Sequence, residues 1–579
     1  MQNEELQHLR HSLAHLLAAA VLELHPDAKR TIGPAIDDGF YYDFHFSAPI
    51  SEEELPVIEA KMREIMKSWN VFTRKEVNAD EARKEFADNK YKLELIDEFS
   101  GEGQNLTLYT SGAFTDLCRG GHADGLAHLD PECFTLTKVA GAYWRGNEKN
   151  DQLTRIYGVA FATKAERDAH LTMLEEAKKR DHRKLGKELG LFVFSDLVGP
   201  GLPLWTPKGT AMREVLNQFV WDLRKAYGYE RVAIPHITKK DLYETSGHWA
   251  KYAEDLFKIE TREGHVFAMK PMNCPHHTQI YASEQRSYRD LPVRYAETTM
   301  VYRDEQSGEL SGLSRVLSIT QDDAHVFCRV AQVREEAEIV WNIIQKFYGA
   351  FGFALKPRLS RRDPAQAEKY LGAAEDWDKA ENALREILVE KGVEWVDGVG
   401  EAAFYGPKID FMAKDSIGRL HQVATIQLDF NQPKNFGLTC VNEKGEKEDI
   451  LMIHCAIMGS IERFASVIIE HLAGAFPFWL APEQVRIASV SDDFIPAAKK
   501  MADDFRAVGI RVKVDNSAEK VGKKIRDAAM NKIPWTIVIG AKEADGGDIM
   551  VKVFGSDEQL VVPQAELIEA AKKHAQIPV

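Results

Sequence analysis

The chain has 579 residues, 44% of them hydrophobic, and a formal charge of −15 at pH 7. That length predicts three or four domains with cores of their own, and the negative balance excludes a generally adhesive nucleic-acid binder, so RNA contacts must come from local basic patches. Six cysteines without regular spacing exclude a disulfide framework and predict a reduced, cytoplasmic chain. The apolar LLAAAVL of residues 16–22 follows Glu4, Glu5 and histidines where a leader would be positive, and no run of 18 apolar residues occurs, so neither a signal peptide nor a membrane span is expected.

Residues 1–162 alternate helical and strand patterns and end in the strand-like RIYGVAF. His11 and His15, four apart, share one helix face, and Asp116, Cys118 and His122 follow in TDLCRGGH. Two histidines on a helix with a nearby Cys and His form a plausible four-ligand zinc set; as ordinary core residues the four would be costly to bury unpaired. Residues 163–189 are highly charged with apolar positions at helical spacing, which predicts one exposed connector helix. Its cluster Lys178, Lys179, Arg180, Arg183 and Lys184 is equally a solvated face or a guide for an RNA backbone.

Over 190–481 strands outnumber the helices that pack on them. Here Cys274 in KPMNCPHH, His325 in QDDAHVF and His454 in LMIHCAIMGS form a Cys/His/His set able to hold one zinc with the fourth tetrahedral position open, the arrangement of a site that takes a substrate. Between the first two ligands lie an Arg-x-Glu at Arg303 and Glu305, a loop with Gly308 and Gly312, and Arg315. After His454, GSIERFASVIIEHL reads as a glycine turn opening an amphipathic helix with Arg463 near its start. Past the linker FWLAPEQ, residues 482–579 alternate VRIASV, a helix, IRVKVD, a helix and WTIVIG, which predicts a small α/β domain with a largely parallel sheet.

Taken in order, AYGYERVAIPHI with Gly228 and Pro235, the Arg303–Arg315 segment and the Arg463 helix resemble motifs 1, 2 and 3 of class II aminoacyl-tRNA synthetases. With the Cys/His/His set and with AFYGPKIDF and TIQLDF between, the chain is similar to the threonyl-tRNA synthetase family through essentially its whole length. The resemblance implies an α+β multidomain protein: an editing domain over 1–162, a connector, a class II antiparallel-sheet catalytic domain over 190–481 and an anticodon-binding domain over 482–579. It further implies a homodimer formed through motif 1, with ATP, magnesium, L-threonine and the threonine tRNA as substrates and one zinc per subunit.

The family's residue roles carry over position by position. Arg303, Glu305, Arg315 and Arg463 are expected to hold bent ATP, arginine being suited to phosphate because its fork is bidentate and permanently charged. Asp323 is expected to take the substrate ammonium, with Gln321, Tyr405, Gln427 and Ser460 lining the pocket. In the editing domain His11, His15, Lys92, Asp116, Cys118 and His122 are expected to hydrolyse misacylated tRNA without a metal, although the residues alone suggest zinc. Glu543 and Lys552 match anticodon contacts.

Two sites make chemical sense for threonine. An apolar pocket separates the nearly isosteric valine by little more than about 10²-fold, and serine, lacking only a methyl, by about 1–3 kcal/mol. The resemblance implies that coordination of the hydroxyl rejects valine and that hydrolysis after transfer removes serine.

The chain departs from the family in several places. Its start is expected to lie almost at the editing helix, without the usual N-terminal ubiquitin-like domain, and it has Ser311 where His is usual, Leu317 and Cys455 where Arg is usual, Val423–Ala424 in place of Cys-Gly, His276 in place of Gly and Lys552 in place of Arg. Cys455, adjacent to His454, is not expected to reach the same ion. Two rival functions are an amino-acid-activating paralogue, which would show a decayed C-terminal domain, and a noncatalytic RNA-binding regulator, which would tolerate loss of Arg303 or a zinc ligand. Neither loss is present in the sequence.

Overall fold

The computed structural model describes residues 3–557 and 559–578. The chain forms two compact units, Met1–Glu175 and Glu176–Val579. No helix among the described residues is long and apolar enough to cross a membrane.

The first unit is built around the helix Asn3–Leu24. Its alanine and leucine run combines high helix propensity with small side chains, and Leu13, Ala14, Leu16, Leu17, Ala18, Ala20 and Val21 are all fully buried. They pack with Ile58 and Met62 of the helix Leu55–Met66 and with Phe40 and Phe44 of the strand Gly39–His45. That strand lies in a five-stranded sheet, antiparallel to Gln152–Ala160, which pairs in turn with Phe134–Tyr143. A separate three-stranded sheet, Thr73–Val77, Leu106–Ser111 and Phe114–Leu117, carries Asp116 on its last strand.

The connector is two helices, Lys164–Arg180 and His182–Leu189, not the single helix predicted. Asp181 leaves helical geometry at ψ 121° and its carboxylate accepts the Arg183 N–H, capping the second helix. The basic cluster is correspondingly split: Arg180 donates to Ser416 Oγ and to the His471 carbonyl, and Arg183 pairs with Asp181.

An eight-stranded sheet dominates the second unit. In spatial order its strands are Glu230–Arg231, Val293–Tyr302, Ser318–Cys328, Leu451–Ser460, Leu420–Asp429, Lys408–Lys414, Ala354–Arg361 and Val396–Val399. All neighbours are antiparallel except the outermost pair at each end. The helices Pro207–Lys225, Val333–Gly349 and Ile461–His471 bury amphipathic faces in one core with this sheet. Phe347 sits at its centre, with the rings of Phe219 at 5.1 Å and Phe464 at 5.2 Å; truncating such a side chain to Ala costs about 3–5 kcal/mol.

The C-terminal sheet is parallel only in part. Val512–Asp515, Val485–Ser489 and Trp535–Ile539 run parallel as the sequence predicts, but two further strands, Ile549–Val553 and Gln559–Val562, extend it antiparallel. The extra pair follows a short connection too brief for the crossover that a parallel strand needs.

Candidate active site

The site is a consequence of strand alternation. Side chains two apart along a strand share a face, and on three adjacent strands this aligns Gln321, Asp323 and His325 on one, His454 on the next, and Gln427 and Asp429 on the third. Register places His325 directly opposite His454, and His454 opposite Gln427, so a polar row crosses the sheet. A bulge between Asp322 and Ala324 is pinned from the opposite face by the buried Arg224. Its guanidinium pairs with Asp322 and donates to the Cys455 carbonyl, while Asp322 Oδ2 accepts the Ile457 and Met458 amides at 2.9 Å each.

Cys274 enters this row from above, as the first residue of the helix Cys274–Ala282. One donor atom each from Cys274, His325 and His454 lies within 4.8 Å of the others, and all three residues are buried. His454 Nε2 donates to Asp429 Oδ2 at 2.9 Å, which leaves its Nδ1 lone pair directed at His325 Nε2, 3.1 Å away. A ligating histidine held through its other nitrogen by a carboxylate is the usual support of a metal site. His325 Nδ1 is similarly engaged by His277 Nδ1 at 2.8 Å. Burial, with the neighbouring histidines, keeps the His325 ring neutral; burial, with the Asp323 carboxylate, raises the Cys274 thiol well above its ordinary range, a cost that a bound cation would reverse by binding the thiolate. The donor set therefore fits zinc.

A cavity of about 780 Å³ opens on this row. Its walls include Arg303, Glu305, Arg315 and Arg463, the residues expected at ATP, together with Gln321, Asp323, Tyr405, Gln427 and Ser460, as well as His325 and His454. Arg303 Nε and Gln321 Oε1 are buried with no hydrogen-bond partner, a cost structures bear where a ligand supplies the partner. Arg315 is held by Glu305 at 2.6 Å and Glu309 at 2.8 Å. Arg463 lies in the first turn of the helix Ile461–His471, its N–H accepted by the Ser460 cap at 3.2 Å. Burial raises the pKa of the Asp323 carboxyl, which accepts one bond from Asn273.

In the N-terminal unit His11, His15, Cys118 and His122 also bring one donor atom each within 4.8 Å of the others. Cys118 Sγ faces His122 Nε2 at 3.3 Å and His11 Nε2 at 3.5 Å. His11 Nδ1 donates to the Gly121 carbonyl at 3.2 Å, and His122 Nδ1 meets Ser12 Oγ at 3.3 Å. Burial pushes the Cys118 thiol up to about 11, His15 down to about 3 and His122 down to about 2, so at neutral pH the cluster is a thiol among neutral imidazoles and not a thiolate–imidazolium pair. Beside it lies a buried ion pair, Lys92 Nζ to Asp116 Oδ1 at 2.7 Å, with Tyr42 donating to Asp116 Oδ2. Although burial opposes it, Lys92 and Arg30 hold the Asp116 carboxyl well below the usual range.

Residues 257–472 match the family described as tRNA synthetase class II core domain (G, H, P, S and T), and residues 484–574 match the anticodon binding domain family. A threonine–tRNA ligase of Phocaeicola vulgatus is 49% identical over 555 residues, 95% of this chain and 85% of its own length. One from Gloeobacter violaceus is 46% identical over 98% of this chain and 92% of its own. The chain belongs to the threonine–tRNA ligase family. Among solved structures, the RNA binding domain of threonyl-tRNA synthetase from Cryptosporidium parvum Iowa II aligns with a TM-score of 0.66 at 36% identity, over 69% of this chain and 99% of that one. Giardia lamblia prolyl-tRNA synthetase, at 16% identity and a TM-score of 0.54 over 70% of this chain and 79% of its own, shares the fold.

Within the family, the departures of this chain have physical addresses. Cys455 points to the face opposite His454, its thiol on the Ala324 carbonyl at 3.5 Å. Ser311 and Leu317 serve through their backbones: Ser311 N–H bonds the Arg315 carbonyl, and the Leu317 carbonyl takes the Arg303 N–H. Val423 lines the cavity and Ala424 is buried beneath it. Both His276 ring nitrogens are buried without partners, and burial lowers its pKa to about 4. In the C-terminal domain Glu543 accepts the Gly540 N–H at 3.0 Å, and Lys552 lines a shallow cavity of about 300 Å³ with Thr536 and Phe554.

Sequence reasoning missed Asp429, His277, His248 and Lys408. Asp429 was within reach, standing two after Gln427 in TIQLDF and thus on its face of the strand. Lys408, in AFYGPKIDF, lines the cavity. His248 is fully buried, with Nε2 3.9 Å from Cys274 Sγ and Nδ1 2.8 Å from Ser246 Oγ; nothing in its local pattern separates it from a core histidine.

Proposed function

We propose that this protein is a threonine–tRNA ligase that activates L-threonine with ATP and transfers it to its tRNA, and that its N-terminal unit hydrolyses serylated tRNA. The observation that carries the reading is the cavity in which three phosphate-type arginines, the Glu305 that holds one of them, and five amino-acid-pocket residues face the same space as His325 and His454.

The chemistry needs no nucleophilic side chain. Asp323, with Gln321, accepts the N–H bonds of the threonine amino group and turns the carboxylate toward the α-phosphorus. Arg303 grips the α-phosphate and Arg463 the γ-phosphate, while Glu305 fixes the fork of Arg315. The carboxylate attacks in line, the bond to pyrophosphate breaks, and pyrophosphate departs with its charge neutralised by the arginines and by the magnesium that accompanies ATP. A tRNA ribose hydroxyl then attacks the mixed anhydride, releasing AMP. Catalysis is positioning and charge neutralisation. Zinc, when held by Cys274, His325 and His454, supplies a Lewis-acidic position that favours a substrate carrying both an amino group and a hydroxyl. The neutral Cys118, His11, His15 and His122 set is suited to orienting a water without a metal, with Lys92 and Asp116 fixing the adjoining wall.

The division into an editing domain over 1–162, a connector over 163–189, a catalytic domain over 190–481 and an anticodon-binding domain over 482–579, with Glu543 and Lys552 as contacts, belongs to the same proposal. So does a homodimer: the two-residue strand Glu230–Arg231, following Gly228, is an edge of the large sheet, a position that a second copy would cover. Six unpaired cysteines support a cytoplasmic setting. Amino-acid-dependent ATP–pyrophosphate exchange tests the function: threonine supports it, serine weakly, valine not. Equal rates with valine, or none with threonine, would refute it, and a monomeric mass in light scattering would refute the dimer.

A further inference from the structure

One buried histidine outside the cavity joins the two elements that carry the phosphate-binding arginines. His182 follows the Asp181 cap and is 4% exposed. Its Nδ1 lies 2.6 Å from Glu470 Oε1, and its own backbone N–H donates to the same oxygen at 3.1 Å. Glu470 stands in the last turns of the helix Ile461–His471, whose first turn bears Arg463. On the other side of the ring, Nε2 accepts the Leu313 N–H at 3.0 Å. Leu313 is fully buried in a turn closed by the Ser311–Arg315 bridge, two residues before Arg315.

Both ends of this link are fixed. Glu470 Oε2 is held by Arg419 at 2.6 Å, and Arg419 Nε by Asp415, which also accepts from His421 Nε2 at 2.9 Å. The turn approaches so closely that a Cβ on Gly312 would lie 2.3 Å from His182 Nε2, and Gly312 has φ +50°. Only one tautomer serves both contacts: Nδ1–H donated to the carboxylate, and the Nε2 lone pair offered to the amide.

We infer that His182 is a positioning residue for ATP, setting the turn that carries Arg315 against the helix that carries Arg463. This rests on the proposed reading of those arginines. A second link of the same kind, Ser314 Oγ to Ser466 Oγ at 3.0 Å, joins the same two elements without reaching the connector.

Two substitutions separate positioning from packing. His182→Asn keeps an N–H near Glu470 and removes the acceptor for Leu313, whereas His182→Gln extends an amide oxygen toward the place of Nε2. In threonine-dependent ATP–pyrophosphate exchange, the Asn variant is expected to raise the ATP KM about tenfold, the scale of one lost backbone hydrogen bond. The threonine KM should stay within twofold and the melting temperature near wild type, with the Gln variant recovering most of the ATP effect. An ATP KM within twofold of wild type in the Asn variant, or equal rises for ATP and threonine in both variants with lowered melting temperatures, would overturn the inference. Should the Asn variant not fold, Gly312→Ala reads the same contact from the loop side, with the same KM split expected and an unchanged ATP KM counting against it. If the wild type shows no threonine-dependent exchange, the proposed function has failed. ATP binding by calorimetry on the same proteins then decides the inference, about tenfold weakening in the Asn variant supporting it and equal affinity overturning it.

Discussion

In the core, His454 gives its Nε2–H to the buried Asp429 carboxylate, whereas in the N-terminal unit His11 gives its Nδ1–H to a backbone carbonyl and His122 meets a serine hydroxyl. Both clusters gather Cys and His donor atoms within 4.8 Å, so ligand counting alone treats them alike. The charge behind the ligands differs. A carboxylate on a histidine raises its basicity and favours a cation on the far nitrogen. Carbonyl and hydroxyl partners orient a ring without that electrostatic bias, and the carboxylate nearest the N-terminal cluster, Asp116, is already committed to Lys92, Arg30 and Tyr42. On the proposed reading, the second partner, more than the ligand set, separates a metal site from a hydrogen-bonding pocket.

The largest expected effects test that separation directly. Cys274→Ala or His325→Ala should remove the zinc and lower threonine activation by at least about 10³-fold, since zinc's several kcal/mol of Lewis-acid stabilisation is lost together with the donor. Metal analysis and pyrophosphate exchange read both, and a variant that keeps full activity without zinc sinks the assignment. In the N-terminal unit, Cys118→Ala or the double change His11→Ala with His15→Ala should leave activation near normal and slow Ser-tRNA deacylation by about 10²-fold, the lower scale for a positioned acid–base group. Wild-type deacylation by these variants would remove the editing role. Metal in the purified protein that survives Cys274→Ala but disappears with Cys118→Ala would reverse the comparison.

Legibility in the sequence followed how local the cause was. Gln427 was placed in the pocket through the family resemblance of TIQLDF and lines the cavity, and the glycine before Arg463 announced the helix start, a property of a few adjacent residues. The pinning of the Asp322 bulge by Arg224 was not readable, because it depends on a helix end meeting a strand 98 positions later. The connector break at Asp181 was written locally, in an Asp before a new amphipathic run, but the apolar period continued through it and masked the cap. The same masking hid His182, whose partners lie 131 and 288 positions away.

A smaller change sharpens the role of the carboxylate. Asp429→Asn keeps the shape but removes the charge; with its one oxygen on the Asn431 and Gln432 amides the fold should stay intact, while an NH2 replaces the acceptor of His454 Nε2 and zinc binding should weaken about 10- to 100-fold. Chelator competition measures it. Zinc retention equal to wild type would mean that the carboxylate contributes geometry alone.

The last expected effect is a pH dependence in the stability of the N-terminal unit, of which the His15 share is the smallest change. His15 and His122 are held neutral in the fold, their pKa values lowered to about 3 and about 2 chiefly by burial, against about 6.5 in an unfolded chain. Between those limits the unfolded state binds protons that the folded state refuses, so their stabilising contribution is complete above about pH 6.5 and is lost as pH falls, by about 1.4 kcal/mol per unit for each fully titrating ring. Hydrogen exchange of the helix Asn3–Leu24, normalised to the intrinsic rates at each pH, should therefore show protection falling from pH 6.5 to 5. His15→Gln, which cannot gain a proton, should shed part of that slope, the rest staying with His122 and His11, whose pKa burial also lowers. A slope unchanged by His15→Gln would mean that the ring is protonated in the folded protein, and the neutral cluster on which metal-free hydrolysis depends would have to be abandoned.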